Sequence, residues 1–250
     1  MAALGLADWY LIAVALFVGS FIGVVIDRLP EETSVFTGRS HCPHCEATLA
    51  ARDLVPLASW LAARGRCRHC GARLGWFYPA VELAALGIAA VSVAVDRGVY
   101  AWVDAALGWW LLALAWIDWR HLILPDVLTL PLIVAGLAVA GALTPEDLPD
   151  PLLGAVCGYL GLWLVAWVYR RVRGRDGLGL GDAKLLAASG AWVGASGLPS
   201  VLAGAALGAL AAAGIMMLAG RRLDRDSALP FGPFLAAATW LVWLLGPVSF

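Results

Sequence analysis

Residues 99–143 read VYAWVDAALGWWLLALAWIDWRHLILPDVLTLPLIVAGLAVAGAL, and this stretch decides the class of fold. It contains two apolar runs, 99–117 and 127–143, on either side of a short segment that carries charged residues. Each run has about the length that a helix needs to cross the hydrocarbon core of a bilayer, about 17–25 residues. Backbone polar groups in lipid must be satisfied within their own segment, as they are in a helix. The stretch therefore predicts two consecutive transmembrane helices.

The same pattern recurs along the rest of the chain. Comparable apolar runs are found at 9–26, 79–95, 152–169, 183–198, 200–219 and 229–249. The chain is 62% hydrophobic and only 14% charged, with a mean hydropathy of +0.83, which excludes a soluble globular enzyme. Its 17 basic and 18 acidic residues nearly balance, so no basic excess would bind nucleic acid. We predict an all-α integral membrane protein with about eight transmembrane helices.

The basic residues lie in alternate connections between these predicted helices. Of the 17 lysines and arginines, 16 fall in the segments 27–78, 118–126, 170–184 and 220–228, and Arg97 is the exception. Short loops rich in lysine and arginine face the cytoplasm in multi-pass membrane proteins. The distribution therefore predicts that these four segments are cytoplasmic and that both termini lie outside.

Four of the five cysteines form two CxxC pairs in the long polar segment 27–78. Cys42 and Cys45 are separated by 21 residues from Cys67 and Cys70. Thiols stay reduced in the cytoplasm, where four thiolates commonly hold a structural zinc ion. Two redox-active pairs are the alternative. His44 and His69 could each replace a thiolate, but four sulfurs already complete a tetrahedron, so we expect them to be bystanders. The sequence thus predicts a small cytoplasmic zinc module that is folded by its metal.

Two aspartates stand where an apolar run meets a cytoplasmic segment, Asp118 and Asp182. Ionisable side chains at membrane depth are costly, so each marks a candidate functional site. Asp182 directly precedes an apolar run, so it could alternatively be a helix N-cap. Asp126, which follows Pro125, is predicted to be such a cap. Asp118 instead follows its apolar run and would lie at the C-terminal end of a helix. Because an acidic residue there opposes the helix dipole, a capping role does not explain Asp118.

Two carboxylates held close together do not both ionise easily, and one of them keeps a proton. This is the requirement of aspartyl proteolysis, in which the ionised member activates water and the protonated member protonates the peptide carbonyl. Gly179 and Gly181, just before Asp182, would let the backbone approach an extended substrate. The residues therefore predict an aspartyl peptidase, provided that Asp118 and Asp182 meet in the fold.

With these features in place, the chain resembles the bacterial prepilin peptidases, which are membrane aspartyl proteases with a GxGD motif. The likeness extends over nearly the whole chain. It is carried by 19–30 (GSFIGVVIDRLP), the two CxxC pairs, 56–60 (PLASW), 64–67 (RGRC), 78–82 (YPAVE), Asp118 with 124–126 (LPD), 179–185 (GLGDAKL) and 230–234 (PFGPF). The chain departs from the family pattern at 53–55 (DLV).

The resemblance implies that Asp118 and Asp182 are the catalytic pair. It further implies that the enzyme acts in the bacterial cytoplasmic (inner) membrane, where it removes a short basic leader from type IV prepilins or type II secretion pseudopilins at the cytoplasmic face. Full-length members of the family then methylate the new amino terminus with S-adenosylmethionine, using the region between the first two helices. The residues that would bind this cofactor do not follow from a motif.

The expected organisation is a first transmembrane helix in 1–26, a cytoplasmic tetracysteine and methyltransferase region in 27–78, and a seven-helix protease domain in 79–250. Two other functions would use the same features. A non-enzymatic zinc-bearing membrane scaffold of a pilus or secretion assembly would need the aspartates only as caps. A proton-coupled carrier would need a chain of acids at the bilayer midplane, whereas Asp118 and Asp182 lie at helix ends.

Overall fold

A computed structural model describes residues 4–174, 179–220 and 229–248. Within these ranges the protein is helical and has no strand, only isolated β-bridges. Six of the described helices are long and apolar enough to cross a membrane, which confirms an all-helical, multi-pass membrane protein. The helices are α1 Leu6–Arg28, α2 Ala58–Ala62, α3 Phe77–Val95, α4 Val99–His121, α5 Asp126–Leu143, α6 Pro149–Arg173, α7 Leu180–Leu218 and α8 Gly232–Leu245.

The chain folds as two compact units, Met1–Ala113 and Leu114–Phe250. In the first unit, α1 packs against α3 at a glycine, because a Cβ on Gly19 would lie 2.7 Å from the Cα of Glu82. The indole N–H of Trp109 on α4 donates to the carbonyl of Ala85 on α3 at 2.9 Å. Small residues let helix backbones approach closely where lipid provides no hydrophobic drive for association.

In the second unit, α6 and α7 form an antiparallel pair that is built on glycines. Gly154 packs against the backbone of Gly190, and a Cβ on Gly158 would lie 2.5 Å from the carbonyl oxygen of Leu186. One turn before Gly154 on α6, Asp150 lies against Gly194. These contacts step one turn forward along α6 for each turn backward along α7. The beginning of α6 therefore lies beside Gly194.

Residue Gly194 interrupts α7, with φ 74° and ψ 173° inside the otherwise helical span. A positive φ of this kind is readily available only to glycine. The carboxylate of Asp150 lies where a side chain on Gly194 would have to be, and the hydroxyl of Ser196 donates to Asp150 Oδ2 at 3.2 Å. The Asp150 carboxylate is thus placed to accept hydrogen bonds from the residues that begin the second half of α7.

Contacts with α8 show that the chain reverses direction at this break. In the first half of α7, residues 180–193, the Ser189 hydroxyl lies 2.6 Å from the Thr239 hydroxyl, and the Trp192 ring packs edge-on against that of Trp243. Both sets of contacts advance in the same direction, so α8 runs parallel to the first half of α7. Along 195–218, a Cβ on Gly204 would contact Ala238, and one on Gly208 would contact Phe234. The second half of α7 is therefore antiparallel to α8 and to the first half.

The sequence prediction placed this boundary near Pro199, between runs 183–198 and 200–219, and the position was wrong. Proline is tolerated near the start of a helix, and Pro199 lies only a few residues into the second half of α7. Gly194 makes the turn because it alone can adopt the backbone angles that the turn requires. The predicted run 229–249 is also longer than the helix, which is α8, Gly232–Leu245.

Candidate active site and metal centre

Asp118 lies inside the last turn of α4, which continues to His121 instead of ending at residue 117 as predicted. Its side chain is buried, with 6% of the residue exposed. The backbone N–H of Gly232, the first residue of α8, donates to Asp118 Oδ2 at 3.0 Å. A buried carboxylate is therefore held at the point where α4 meets the start of α8.

Asp182 is the third residue of α7, because the helix begins at Leu180 and its N-cap is Gly179. The alternative that Asp182 is an N-cap was wrong, since no capping hydrogen bond from a side chain is present at this described helix start. The charge of Asp118 acts directly on Asp182. The fold of the second unit thus brings together the two carboxylates that the sequence singled out.

The close approach of these helices depends on the second glycine of the GxGD motif. A Cβ on Gly181 would lie 3.0 Å from the Cβ of Leu124, in the connection between α4 and α5. By contrast, a Cβ on Gly179 would meet Asp182 Oδ2 at an ordinary 3.8 Å. Gly181 is therefore the glycine that lets the start of α7 pack against the connection that follows Asp118.

Asp126 has a different environment from the one predicted. It is the first residue of α5, the N-cap is Pro125, and no side-chain capping bond is present there among the described residues. Its carboxylate instead forms an ion pair with Lys184 Nζ at 2.5 Å. The prediction of a cap was wrong because a lysine two residues after Asp182 reaches this carboxylate. The pair links α5 to α7.

Sequence reasoning missed Gly232 as a part of this site. Its backbone, not a side chain, contacts Asp118, so no pattern of functional groups could reveal it. The only signal was its place in the segment Pro230-Phe231-Gly232, which belongs to the stretches that carry the family resemblance.

The four paired cysteines converge in the first unit. All four sulfurs lie within 4.8 Å of one another, and two of the separations, Cys42 to Cys70 and Cys45 to Cys67, are 4.0 Å. Zinc–sulfur bonds of about 2.3 Å in a tetrahedron require sulfurs about 3.8 Å apart. The donor set and its spacing therefore fit a zinc ion. This group of ligands includes neither His44 nor His69 in the part of the chain that the structure describes.

The cluster is built from two similar knuckles, one around each CxxC pair. In the first knuckle, the N–H of Cys42 donates to the carbonyl of Ala47, and the N–H of Glu46 donates to the carbonyl of Cys42. In the second knuckle, the N–H of Cys67 donates to the carbonyl of Ala72, and the N–H of Gly71 donates to the carbonyl of Cys67. An antiparallel bridge closes each knuckle. Glu46 and Gly71 occupy equivalent positions, and both have positive φ, 56° and 72°. The two knuckles therefore present their sulfurs from matching turns.

Backbone amides also prepare one sulfur for metal binding. The N–H groups of Cys70 and His69 point towards the sulfur of Cys67 and lower the pKa of its thiol to about 6. The His69 N–H lies 3.4 Å from this sulfur. These amide groups therefore favour the thiolate form of Cys67, which is the form that binds metal.

A second buried carboxylate, Glu82 on α3, ties the cysteine region to the membrane helices. It accepts the N–H of Leu57 at 2.8 Å and a hydrogen bond from Ser20 on α1. Leu57, which directly precedes α2, has a φ of 55°, a conformation that non-glycine residues seldom adopt. Sequence reasoning had assigned Glu82 no role, because its partner is a backbone group far along the chain.

Fold and site together define a class, a multi-pass membrane protein with an aspartate pair at adjacent helix ends. Sequence comparison shows that residues 13–96 match the bacterial peptidase A24 N-terminal domain and residues 105–216 match the type IV leader peptidase family. The chain belongs to the type IV leader peptidase family.

Similar proteins cover almost the same length. The chain is 39% identical to a prepilin leader peptidase/N-methyltransferase of Stutzerimonas stutzeri, over 94% of this chain and 89% of the relative. It is 42% identical to one of Burkholderia pseudomallei, over 91% and 82%, and 40% identical to one of Aeromonas hydrophila, over 93% and 88%. No solved structure matches the chain. Leader peptidase and N-methyltransferase are thus the enzyme activities of the class to which the chain belongs.

Proposed function

We propose that this enzyme removes the leader peptide of type IV prepilins or type II secretion pseudopilins and that Asp118 and Asp182 are its catalytic pair. The observation that carries the proposal is that the end of α4 and the start of α7 place these two carboxylates within range of each other's charge. The names of the relatives support the substrate class. A membrane scaffold would need these two residues only as helix caps, whereas each lies inside its helix.

The reaction needs one ionised and one protonated carboxyl group. The ionised member takes a proton from water as the water oxygen attacks the scissile carbonyl, and the protonated member gives its proton to the carbonyl oxygen. As the tetrahedral intermediate collapses, a proton passes to the leaving amine and the C–N bond breaks. The pair then returns to its starting state.

We also propose that Cys42, Cys45, Cys67 and Cys70 hold a zinc ion that joins the two knuckles. Zinc would serve a structural purpose there, because four sulfurs leave no open coordination position. Metal analysis of the purified protein should find one zinc per chain, and Cys70→Ser should lose it. S-adenosylmethionine would supply the methyl group for N-methylation, which we assign to the region between α1 and α3.

For the membrane topology we propose eight crossings and a cytoplasmic active site in the bacterial inner membrane. The reversal at Gly194 supports two crossings within α7, although the first half, 180–193, is only about 20 Å long. The connections that carry the basic residues support the orientation. Some of these residues, Arg175, Arg221, Arg222 and Arg225, lie outside the described ranges.

The test of the function is direct. Purified protein in detergent is incubated with a prepilin, and the product is sized by mass spectrometry. We expect a shortened product that begins at the hydrophobic helix of the substrate. Intact prepilin and intact pseudopilin after prolonged incubation with folded, zinc-loaded protein would contradict the proposal and favour the scaffold.

A further inference from the structure

The start of α8 meets Asp118 through the backbone of Gly232. Both the carboxylate and the glycine are buried, and the N–H to Oδ2 distance is 3.0 Å. Gly232 is the first residue of its helix, so its N–H has no partner within the helix, and the next residue, Pro233, has no N–H at all. The positive end of the α8 dipole also favours an anion at this position.

The carboxylate lies so close to Gly232 that no side chain could be accommodated. A Cβ there would lie 2.6 Å from Asp118 Oδ2 and 3.0 Å from its Cγ. Gly232 is not among the glycines with positive φ. Alanine would therefore suit the backbone conformation, and its chief effect would be to push the Asp118 carboxylate away from the N–H.

The carboxylates of Asp118 and Asp182 differ in the hydrogen-bond donors that reach them. Asp118 accepts the N–H of Gly232, whereas no hydrogen-bond donor reaches the Asp182 side chain from the residues that the structure describes. A hydrogen bond to an ionised acceptor is about twice as strong as one between neutral groups. The donor therefore favours the ionised form of Asp118 and leaves the shared proton to Asp182.

We propose that Gly232 is a positioning residue of the peptidase, whose backbone N–H holds Asp118 as the ionised member of the pair. The inference rests on the proposed function. Asp118 then takes the proton from the attacking water, and Asp182 protonates the carbonyl oxygen. On collapse, Asp118 passes its proton to the leaving amine, and Asp182 recovers a proton from a hydroxyl of the intermediate as the carbonyl re-forms.

The kinetic test compares Gly232→Ala with Gly214→Ala, because a Cβ on Gly214 would meet none of the described atoms within 4 Å. We expect Gly232→Ala to lower kcat about 100-fold or more, since a carboxylate displaced by a methyl group loses its alignment. KM should stay within about twofold, and the melting temperature should match that of the control. A kcat near that of Gly214→Ala would overturn the proposal.

A second measurement does not depend on activity. In protein labelled with ¹⁵N-glycine, the Gly232 amide is identified by its loss in Gly232→Ala. Its proton should resonate at low field, as expected for a donor to an ionised carboxylate, and should move upfield in Asp118→Asn. An amide signal that is indifferent to Asp118→Asn would overturn the inference even if cleavage is observed. A protein with the expected amide shift but no cleavage would count against the proposed function alone.

Discussion

At the scale of single residues, the proposed peptidase chemistry depends on Asp118 and Asp182. An amide in either position cannot exchange protons, so Asp118→Asn and Asp182→Asn should each lower the cleavage rate by about 1,000-fold or more. The rate is measured with purified protein and a prepilin, and zinc content reports on folding.

The matched control for these variants is Asp126→Asn. Its side chain is 57% exposed and pairs with Lys184, and an exposed ion pair contributes about 1 kcal/mol or less. We therefore expect this variant to retain most of the activity. An inactive Asp126→Asn beside an active Asp118→Asn would require a different catalytic pair.

At the scale of elements, the two cysteine knuckles offer an internal comparison. Gly71 has a positive φ, and a Cβ there would meet no described atom within 4 Å, so Gly71→Ala should destabilise the module by about 1 kcal/mol through backbone conformation alone. Glu46 has the same conformation without a glycine, so Glu46→Gly should stabilise it by about 0.5 kcal/mol.

Thermal unfolding and zinc loss to a chelator measure both effects. The melting temperature should fall in Gly71→Ala and rise in Glu46→Gly. If Gly71→Ala were neutral, the equivalence of the two turns would be wrong.

The reversal within α7 is the second element with a specific requirement. Gly194→Ala would force alanine into a positive φ and against the carboxylate of Asp150, so we expect a loss of about 3 kcal/mol or more. The lowered melting temperature is compared with that of Gly161→Ala on α6, where a Cβ would meet no described atom within 4 Å.

Because Gly194→Ala could fail to fold, Asp150→Ala provides a milder test. It removes only the acceptor of Ser196 and should destabilise the protein by about 1 kcal/mol. Unchanged melting temperatures in both variants would contradict a sharp turn at Gly194.

At the scale of the whole molecule, the predicted orientation decides whether the aspartates can reach a leader that has not crossed the membrane. A cysteine at Thr144, an exposed residue after α5, should react with a charged thiol reagent in intact cells. A cysteine at Ser227, which lies outside the described residues, should react only in inverted vesicles. Labelling of the Ser227 position in intact cells would reverse the topology and favour disulfides over zinc.

Several properties of this protein could be predicted from the sequence because they depend on local composition. The apolar runs specify the helices, since lipid requires each segment to satisfy its own backbone. The CxxC spacing predicts the convergence of the four sulfurs, because each pair presents two thiols from a single turn. Asp118 and Asp182 could be singled out because charge is unexpected at the end of an apolar run.

Other properties were decided only by the tertiary structure, because they depend on backbone groups or on partners distant in sequence. Gly232 contacts Asp118 through an N–H that every residue except proline carries. Asp126 pairs with Lys184 instead of capping its own helix, since α5 and α7 are neighbours only in the fold. The turn lies at Gly194 and not at Pro199, because Asp150 from another helix lies against that glycine.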